Sequence, residues 1–167
     1  AMHAAVRCAE GGFSGEIWGG NPRRTTLGDF PCFRSVGDLP APPDAVFLAV
    51  PSATAVDVVA QLAALGAGGV VCYTAGFREL GGVGAELEKV LAEVAGDLAL
   101  VGPNVFGLLN YVSGAHLWPY AHGGKRVERG VALVSQSGMF SGYVTTNQRS
   151  VAFSYVIGSG NQTCLGV

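Results

Sequence analysis

The chain has 167 residues, of which 49% are hydrophobic and 13% charged, enough apolar material for one α/β domain or one domain and part of a second. Its formal net charge of −2 argues against a nucleic-acid-binding footprint and against a basic membrane-binding face. No apolar run approaches the roughly 20 residues that span a bilayer, and no secretory signal pattern is present. We therefore expect a cytoplasmic protein that binds neither nucleic acid nor membrane.

The cysteines and glycines further limit the kinds of site that the chain could contain. The four cysteines show no C-x-x-C spacing, which argues against a zinc site and a disulfide framework, so no metal site is predicted. Cys72 lies inside an apolar run and is expected to be a small buried hydrophobic residue. The 26 glycines cluster at the ends of apolar runs, which indicates turns approached by a ligand.

The first third of the chain predicts a helix, a short strand and a buried strand. The segment "MHAAVRCAE" has helical character and is stopped by Gly11-Gly12. A short strand is expected at Glu16–Trp18, before the turn "GGNPRR". The continuous apolar run Asp44–Val50, closed by Pro51, predicts a parallel strand covered on both faces. Apolar residues at helical spacing follow, with Gly66 as the C-cap.

This strand–helix pattern then repeats. Gly69–Tyr73 and Leu98–Val101 are predicted strands, and Gly84–Gly96 is a predicted amphipathic helix between them. The β-α-β-α-β rhythm is typical of a doubly wound parallel sheet. Because parallel strands end at the same edge of a sheet, the polar loops at these ends should converge on one crevice. The loops are "GGNPRR", "VPSAT", "TAGF" and "GPN".

Beyond Asn110 the chain is irregular as far as Gly130, and then a second α/β pattern begins. It comprises a strand at Val131–Val134, a turn at Ser135–Gly138, a helix to about Gln148 and a strand within "FSYVIGSGN". We expect this second unit to be incomplete, because its roughly 40 residues are fewer than a usual domain contains.

Six motifs occur in one order: "GFSGEIWGGNPRR", "PDAVFLAVP", "TAGFRE", "GPNVFGLLN", "ALVSQSG" and "GSGN". With them, from about Ala4 to Val167, the chain resembles the NDP-forming acyl-CoA synthetases, especially the acetate–CoA ligase (ADP-forming) group and the α subunit of succinyl-CoA synthetase. The resemblance implies a Rossmann-like CoA-binding domain with a parallel sheet over residues 1–122, and the start of a flavodoxin-like α/β unit over residues 123–167. It also implies that the family's first strand and glycine-rich loop precede the numbered chain.

The resemblance implies site residues as well. Contacts with CoA are implied where the chain matches the family's V-N-P-K/R, V-P and G-P-N motifs and the loop between the V-P and G-P-N motifs. The two arginines are then expected opposite the CoA phosphates. The predicted CoA contacts are Asn21, Pro22, Arg23, Arg24, Val50, Pro51, Thr74, Ala75, Gly76, Pro103 and Asn104. The "SQSG" residues Ser135, Gln136, Ser137 and Gly138 match the helix start that holds phosphate or phosphohistidine in the family. Val105 stands where many members carry Cys.

Simpler structural roles for the predicted site residues stay open. Arg23 and Arg24 could lie in a solvated turn, and Asn104 could end its strand with an Asx-turn. Ser137 could be only an N-cap, which is the interpretation that we favour over an anion site in an incomplete domain.

Other polar residues are interpreted as structural. Ser52 and Thr54, near Asp57, are expected to cap a helix rather than to act as nucleophiles. His116 and His122 lack the spacing of a metal pair and are expected at a surface or an interface. Glu79 and the helix carboxylates are expected on a solvated face; these carboxylates are Glu86, Glu88 and Glu93.

The resemblance implies the CoA-binding portion of an acid–CoA ligase. The family makes acyl-CoA from an acid, CoA and a nucleoside triphosphate, through an acyl phosphate and a phosphohistidine. ATP or ADP and Mg²⁺ are expected only through an ATP-grasp domain or subunit, the acid or acyl phosphate is a further partner, and a homo-oligomer is a further expectation. Whether this chain is itself an enzyme stays open, because His3, His116 and His122 do not match the phosphohistidine, which is expected beyond Val167.

Two alternatives belong to other functional classes. A non-catalytic module that binds CoA or acyl-CoA, as a sensor or regulatory part, would use the same loops. A Rossmann domain for NAD(P) has less support, because the chain has no G-x-G-x-x-G after a strand with an acidic residue about 20 positions further on.

Overall fold

The structure is a computed structural model that describes residues 1–147 and 151–165. The helices of this part are α1 (Met2–Glu10), α2 (Ser52–Leu65), α3 (Gly82–Ala95) and α4 (Gly138–Thr146). The strands are β1 (Gly19–Gly20), β2 (Thr26–Leu27), β3 (Phe30–Phe33), β4 (Val46–Leu48), β5 (Gly69–Cys72), β6 (Ala99–Val101), β7 (Leu108–Asn110), β8 (His116–Leu117), β9 (Val131–Ser135) and β10 (Phe153–Gly158).

The predicted parallel sheet is present as β4-β5-β6, with both strand pairs parallel. Its apolar strands and helices α2 and α3 build one core, which explains why the strand sequences are continuously rather than alternately apolar. Cys72 is fully buried in that core, as predicted. The α/β class and the Rossmann-like parallel arrangement are therefore confirmed. Core residues from these elements are Leu48, Val59, Val70, Leu91 and Leu100.

The helix ends test the capping predictions. Helix α1 ends at Glu10, directly before Gly11-Gly12. Helix α2 ends at Leu65, and Gly66 is its C-cap as predicted, in the left-handed conformation at φ 83°. The capping role predicted for Ser52 and Thr54 is wrong: Pro51 is the N-cap of α2, and no side chain caps that end. Ser52 lies one position too far along the chain, already inside the first turn.

The first predicted strand lies elsewhere than expected. It begins at Gly19, after Glu16–Trp18, because its parallel pairing with β3 starts opposite Cys32. In the described residues, β1 belongs to a small sheet of order β1-β3-β2 and not to the β4-β5-β6 sheet. The single sheet expected behind all the predicted loops is thus two hydrogen-bonded sheets.

A third sheet in the described residues has the order β8-β7-β10-β9. Strands β9 and β10 are parallel and are joined by α4, as expected for a partial flavodoxin-like unit, whereas β7 is antiparallel to β10 and β8. This sheet draws strands from both sides of the boundary predicted after His122, which stays a prediction. The predicted helix end at Gln148 lies outside the described residues. In the described ranges, no helix has both the length and the apolar character to cross a membrane.

Candidate functional site

Thr74 joins the loops that leave three neighbouring strands. Its Oγ1 donates a hydrogen bond to the Val50 carbonyl at 2.7 Å and accepts one from the Val50 N–H at 3.3 Å. Its carbonyl accepts a hydrogen bond from the Asn104 N–H at 2.9 Å. Since Thr74 is itself buried, these bonds hold three of the four predicted loops together at the carboxyl edge of the parallel sheet.

The Gly102–Asn104 loop follows β6 and approaches β5 closely. Gly102 has φ 103°, and a Cβ at that position would lie 2.7 Å from the Cys72 carbonyl oxygen, so the turn requires glycine. Asn104 is exposed and takes φ 57°, a left-handed conformation that asparagine tolerates better than most residues. Its side-chain amide donates to Oδ1 of Asn161 at 3.5 Å.

The "GSGN" segment supplies a contact that the sequence did not predict. The Asn161 N–H donates to the Pro103 carbonyl at 2.9 Å, and the Thr163 N–H donates to the Gly102 carbonyl at 3.2 Å. At its other end, the Ser159 N–H donates to the Ser135 carbonyl at 2.9 Å. The segment Ser159–Thr163, which we call the bridging segment, therefore contacts both the predicted CoA loop and the predicted phosphate loop.

Glu88 anchors the bridging segment from helix α3. Its carboxylate accepts hydrogen bonds from the Arg78 N–H and the Asn161 side-chain amide, each at 2.9 Å, and from the Thr163 hydroxyl. The Arg78 Nε lies 3.4 Å from Oε1, and only 5% of Glu88 is exposed. The prediction of a solvated face is wrong for Glu88, because these donors replace water around the buried charge.

A sequence signal for Glu88 existed. The buried positions of α3 are Gly84, Glu88, Leu91 and Ala95, whose spacing of four, three and four residues marks one helix face. A carboxylate on the apolar stripe of a helix requires partners, whereas Glu86 and Glu93 are exposed as predicted.

Glu79 ties the bridging segment to the loop after β5. Its Oε1 accepts hydrogen bonds from the Gly76 N–H at 2.6 Å and the Phe77 N–H at 3.1 Å, and its Oε2 accepts one from the Asn161 amide at 2.7 Å. Burial alone raises the pKa of Glu79, but the hydrogen bonds from Asn161 and the backbone outweigh it, so the net pKa is lowered. The side chain is exposed, yet it contacts the predicted site.

The predicted arginine turn is built from local contacts. Asn21 closes an Asx-turn, because its Oδ1 accepts a hydrogen bond from the Arg23 N–H at 2.9 Å. Its own N–H donates to the Phe33 carbonyl at 2.9 Å, which attaches the turn to β3. Pro22, Arg23 and Arg24 are exposed. The solvated-turn interpretation fits this geometry, and the same exposure leaves both guanidinium groups accessible to a phosphate.

The "SQSG" turn starts helix α4 with a side-chain cap. Ser137 Oγ accepts a hydrogen bond from the Phe140 N–H at 3.3 Å, which confirms the predicted N-cap. Ser135 Oγ accepts one from the Ser137 N–H at 3.2 Å, and the Gln136 amide donates to the Gly160 carbonyl at 3.4 Å. Gly138 is the first residue of the helix. The turn is thus connected to the bridging segment while Gln136 and Ser137 stay exposed.

His116 lies on β8, which packs against helix α1, and the ring of His122 lies beside it with 4.7 Å between the ring centroids. His116 on β8 is 2% exposed, so the surface prediction is wrong for it, and its Nδ1 has no hydrogen-bond partner within the described residues. His122 is half-buried, and its Nδ1 lies 3.3 Å from the Tyr111 hydroxyl oxygen. Burial, reinforced by the charge of His122, lowers the pKa of His116 to about 4. In the ranges that the structure covers, no group of three or more His, Cys, Asp or Glu side chains could hold a metal ion.

Comparison with known proteins places this geometry in a family. A family described as the CoA binding domain matches residues 3–110. Acetate–CoA ligase (ADP-forming) II of Archaeoglobus fulgidus is 32% identical over 163 residues, which cover 92% of this chain and 24% of the relative. A trans-feruloyl-CoA synthase from an unknown prokaryotic organism is 35% identical over 162 residues, covering 93% of this chain and 23% of the relative.

A solved structure shows the same likeness. The apo form of the dinucleotide-forming acetyl-coenzyme A synthetase 1 of Ca. Korarchaeum cryptofilum superposes with a TM-score of 0.84 at 27% identity, covering 99% of this chain and 36% of that one. The chain spans about a quarter of the length of the two curated relatives. It belongs to the CoA binding domain family, in the branch of the NDP-forming acyl-CoA synthetases that its motifs predict.

Proposed function

We propose that this chain is the CoA-handling part of an NDP-forming acid–CoA ligase and that CoA lies across the carboxyl edge of the β4-β5-β6 sheet. The observation that carries the proposal is the set of Thr74 hydrogen bonds, which hold the three loops at that edge as one preformed surface. Ligands of open parallel sheets bind at such edges, and the CoA binding domain match supplies the ligand class.

In this proposal the two ends of CoA contact different loops. Arg23 and Arg24 pair with the phosphates of the nucleotide end, because guanidinium groups form forked hydrogen bonds with phosphate oxygens. Val50, Pro51 and the Thr74–Gly76 loop line the pantetheine arm. The exposed Asn104, with Pro103, lies near the thiol end.

The "SQSG" turn supplies the anion side of the site. Helix α4 begins at Gly138, and Ser137 caps the Phe140 N–H, so the Gly138 and Met139 N–H groups and the positive end of the helix dipole are offered to a phosphate group. The bridging segment places this turn beside the Pro103–Asn104 loop. The thiolate of CoA would attack the carbonyl carbon of an acyl phosphate, the bond from that carbon to the phosphate oxygen would break, and phosphate would leave toward the turn. The chain contributes positioning and charge stabilisation.

The remaining chemistry belongs to partners. ATP or ADP with Mg²⁺, and the phosphohistidine that relays the phosphoryl group, would come through an ATP-grasp domain or subunit. Exposed apolar side chains on α4, from Met139, Phe140 and Tyr143, support a protein partner, either that domain or a second copy of this chain. The four free cysteines support a reducing cytoplasmic setting.

Isothermal titration of the chain with CoA, dephospho-CoA and NAD tests the proposal. We expect CoA to bind, dephospho-CoA to bind more weakly because it has one phosphate fewer, and NAD to show no binding at the same concentrations. NAD binding as tight as that of CoA, or no heat with CoA, would contradict the proposed function. A non-catalytic sensor shares the binding step, so phosphate release from an acyl phosphate by the chain with its ATP-grasp partner separates the two.

A further inference from the structure

We propose that Glu88 is a positioning residue of the CoA site: through Asn161 and Thr163 it sets the bridging segment, and thereby the distance between the Pro103–Asn104 loop and the "SQSG" turn. The inference rests on the proposed function and extends it to a side chain on the buried face of α3. Glu88 itself lines none of the predicted loops, so its effect on CoA is indirect.

The bridging segment holds the two loops through its backbone. The Asn161 N–H and the Thr163 N–H bond to carbonyls of the loop after β6, and the Ser159 N–H bonds to the Ser135 carbonyl. Its side chains are held from the opposite side, by Glu88 and by Glu79. The segment is therefore fixed between two sheets by contacts that lie about 70 to 80 residues away along the chain, at separations of 73, 75 and 82.

The hydrogen bonds need a carboxylate at position 88. Oε2 accepts from both the Arg78 N–H and the Asn161 amide, and Oε1 accepts from the Thr163 hydroxyl with the Arg78 Nε at 3.4 Å. A glutamine has the same shape but presents an NH₂ group in place of one oxygen. In the place of Oε2 this NH₂ faces the Arg78 N–H and the Asn161 amide, and in the place of Oε1 it faces the Arg78 Nε and a Thr163 hydroxyl that must turn to accept. Hydrogen bonds to a charged group exceed neutral ones in strength, and a buried donor left unpaired is costly.

Amide hydrogen exchange on the chain tests the positioning directly. The variant Glu88→Gln is compared with Glu86→Gln, which removes one negative charge from the exposed face of the same helix. We expect exchange at the Asn161, Thr163 and Ser159 amides to rise about tenfold in Glu88→Gln and to stay unchanged in Glu86→Gln. Amides of β5 should keep their protection in both. Thr163→Val, which removes one donor and keeps the side-chain shape, should give a smaller rise at the same amides.

Affinity measurements connect the segment to the ligand. For Glu88→Gln we expect the Kd of CoA to rise about tenfold while the Kd of the adenosine bisphosphate half of CoA, which lacks the pantetheine arm, stays the same. General destabilisation would weaken the binding of both ligands equally, and that result would overturn the positioning role. Unchanged exchange rates at the amides of the bridging segment would overturn it too. So would faster exchange at these amides with an unchanged Kd of CoA. If the parent chain binds no CoA, the proposed function fails by itself and the inference about the CoA site falls with it, whatever the exchange data show.

Discussion

The two ends of the proposed CoA site are held in different ways. The loops after β4, β5 and β6 bond to one another through Thr74 and to the bridging segment through Gly102–Asn104. The arginine turn makes local contacts and one attachment to β3, and its charged side chains point into solvent. One end of the site is a surface of loops hydrogen-bonded to one another, and the other is an exposed pair of positive charges.

The difference indicates a division of labour. A preformed surface loses little conformational entropy when the ligand binds, so it suits the pantetheine arm and the thiol, whose position decides the chemistry. Exposed arginines suit the phosphates, because charge attraction acts over several ångströms and tolerates small errors of position. Mutations in the first region should therefore change stability and binding together, whereas mutations in the second should change binding alone.

Gly160→Ala should give the largest effect on stability. Gly160 takes φ 57°, and a Cβ there would collide with the carbonyl oxygen of Pro103, so both the conformation and the contact disfavour a side chain. We expect the free energy of unfolding to fall by about 4 kcal/mol, measured by urea denaturation.

Gly28→Ala is the matched control for that collision. Gly28 has a similar φ of 63° but open space around the Cβ position, so it should lose only about 1 kcal/mol. Equal losses of stability in the two variants would mean that the bridging segment does not pack closely against the Pro103–Asn104 loop. The preformed surface at this end of the site would then lack one of its supports.

The second largest effect is a pH dependence of stability caused by His116, which lies on β8 and outside the loops of the proposed CoA site. The pKa of His116 falls to about 4 on folding, from an ordinary value of 6.5, because the imidazole is buried beside His122. As the pH drops, the unfolded chain binds this proton before the folded chain does. The free energy of unfolding should therefore decrease by about 3 kcal/mol between pH 6.5 and pH 4.

The variant His116→Phe should flatten this part of the pH profile, because phenylalanine has no titrating group. His3→Phe, at an exposed position of α1, should keep the full slope. A profile with the same slope in His116→Phe as in the parent would show that this histidine does not control the packing of α1 on β8 at acid pH.

Thr74→Val should have an intermediate effect on stability and a clear effect on binding. Valine keeps the shape of threonine but leaves the Val50 N–H and carbonyl without their partner. We expect a loss of about 2 kcal/mol in the free energy of unfolding and a weaker CoA affinity by titration. Thr54→Val, on the exposed side of α2, is the control and should change stability by less than about 0.5 kcal/mol. If the Thr74→Val chain binds CoA as tightly as the parent, a loss of stability in this region does not weaken CoA binding, and the prediction that the two change together is wrong.

The sequence predicted the elements well because their signals are local. Continuous apolarity marked β4, β5 and β6, helical spacing marked α2 and α3, and Gly66 marked a helix end. Ser137 was correctly expected to cap α4, since a cap needs only the residues of one turn. The Asn21 turn was also visible as an Asn-Pro pair, although its Asx hydrogen bond was not foreseen.

The missed features depend on residues far apart in the chain. Glu88 meets Asn161 and Thr163 only after two sheets have folded, and nothing local at position 88 identifies those partners. His116 is buried because α1 packs over β8, a contact between the first helix and a strand more than 100 positions later. Local patterns predict where a charge sits on a helix, but the partner that compensates it comes from the tertiary fold.

Mutation of the arginine turn should have the smallest effect on stability. It tests the second of the two regions compared above, the exposed pair of positive charges. The double variant Arg23→Gln/Arg24→Gln should change the free energy of unfolding by less than about 0.5 kcal/mol, because both side chains are exposed and the Asx-turn that shapes the loop uses the Arg23 backbone. The Kd of CoA should rise at least tenfold, since charge-assisted hydrogen bonds to phosphate are lost.

The salt dependence of binding distinguishes the loss of CoA affinity in the double variant from a loss caused by a change in the preformed loops. The affinity difference between the double variant and the parent should shrink as ionic strength increases, because salt screens exposed charges, whereas the deficit of Thr74→Val should persist. Lys125→Gln/Arg129→Gln removes the same charge from the connection between β8 and β9, where both residues are exposed. It should leave CoA affinity within twofold of the parent at moderate salt, about the scale of a screened distant charge. Equal losses in both double variants would assign the effect to overall charge, and the turn would then be a solvated loop with no contact to the phosphates.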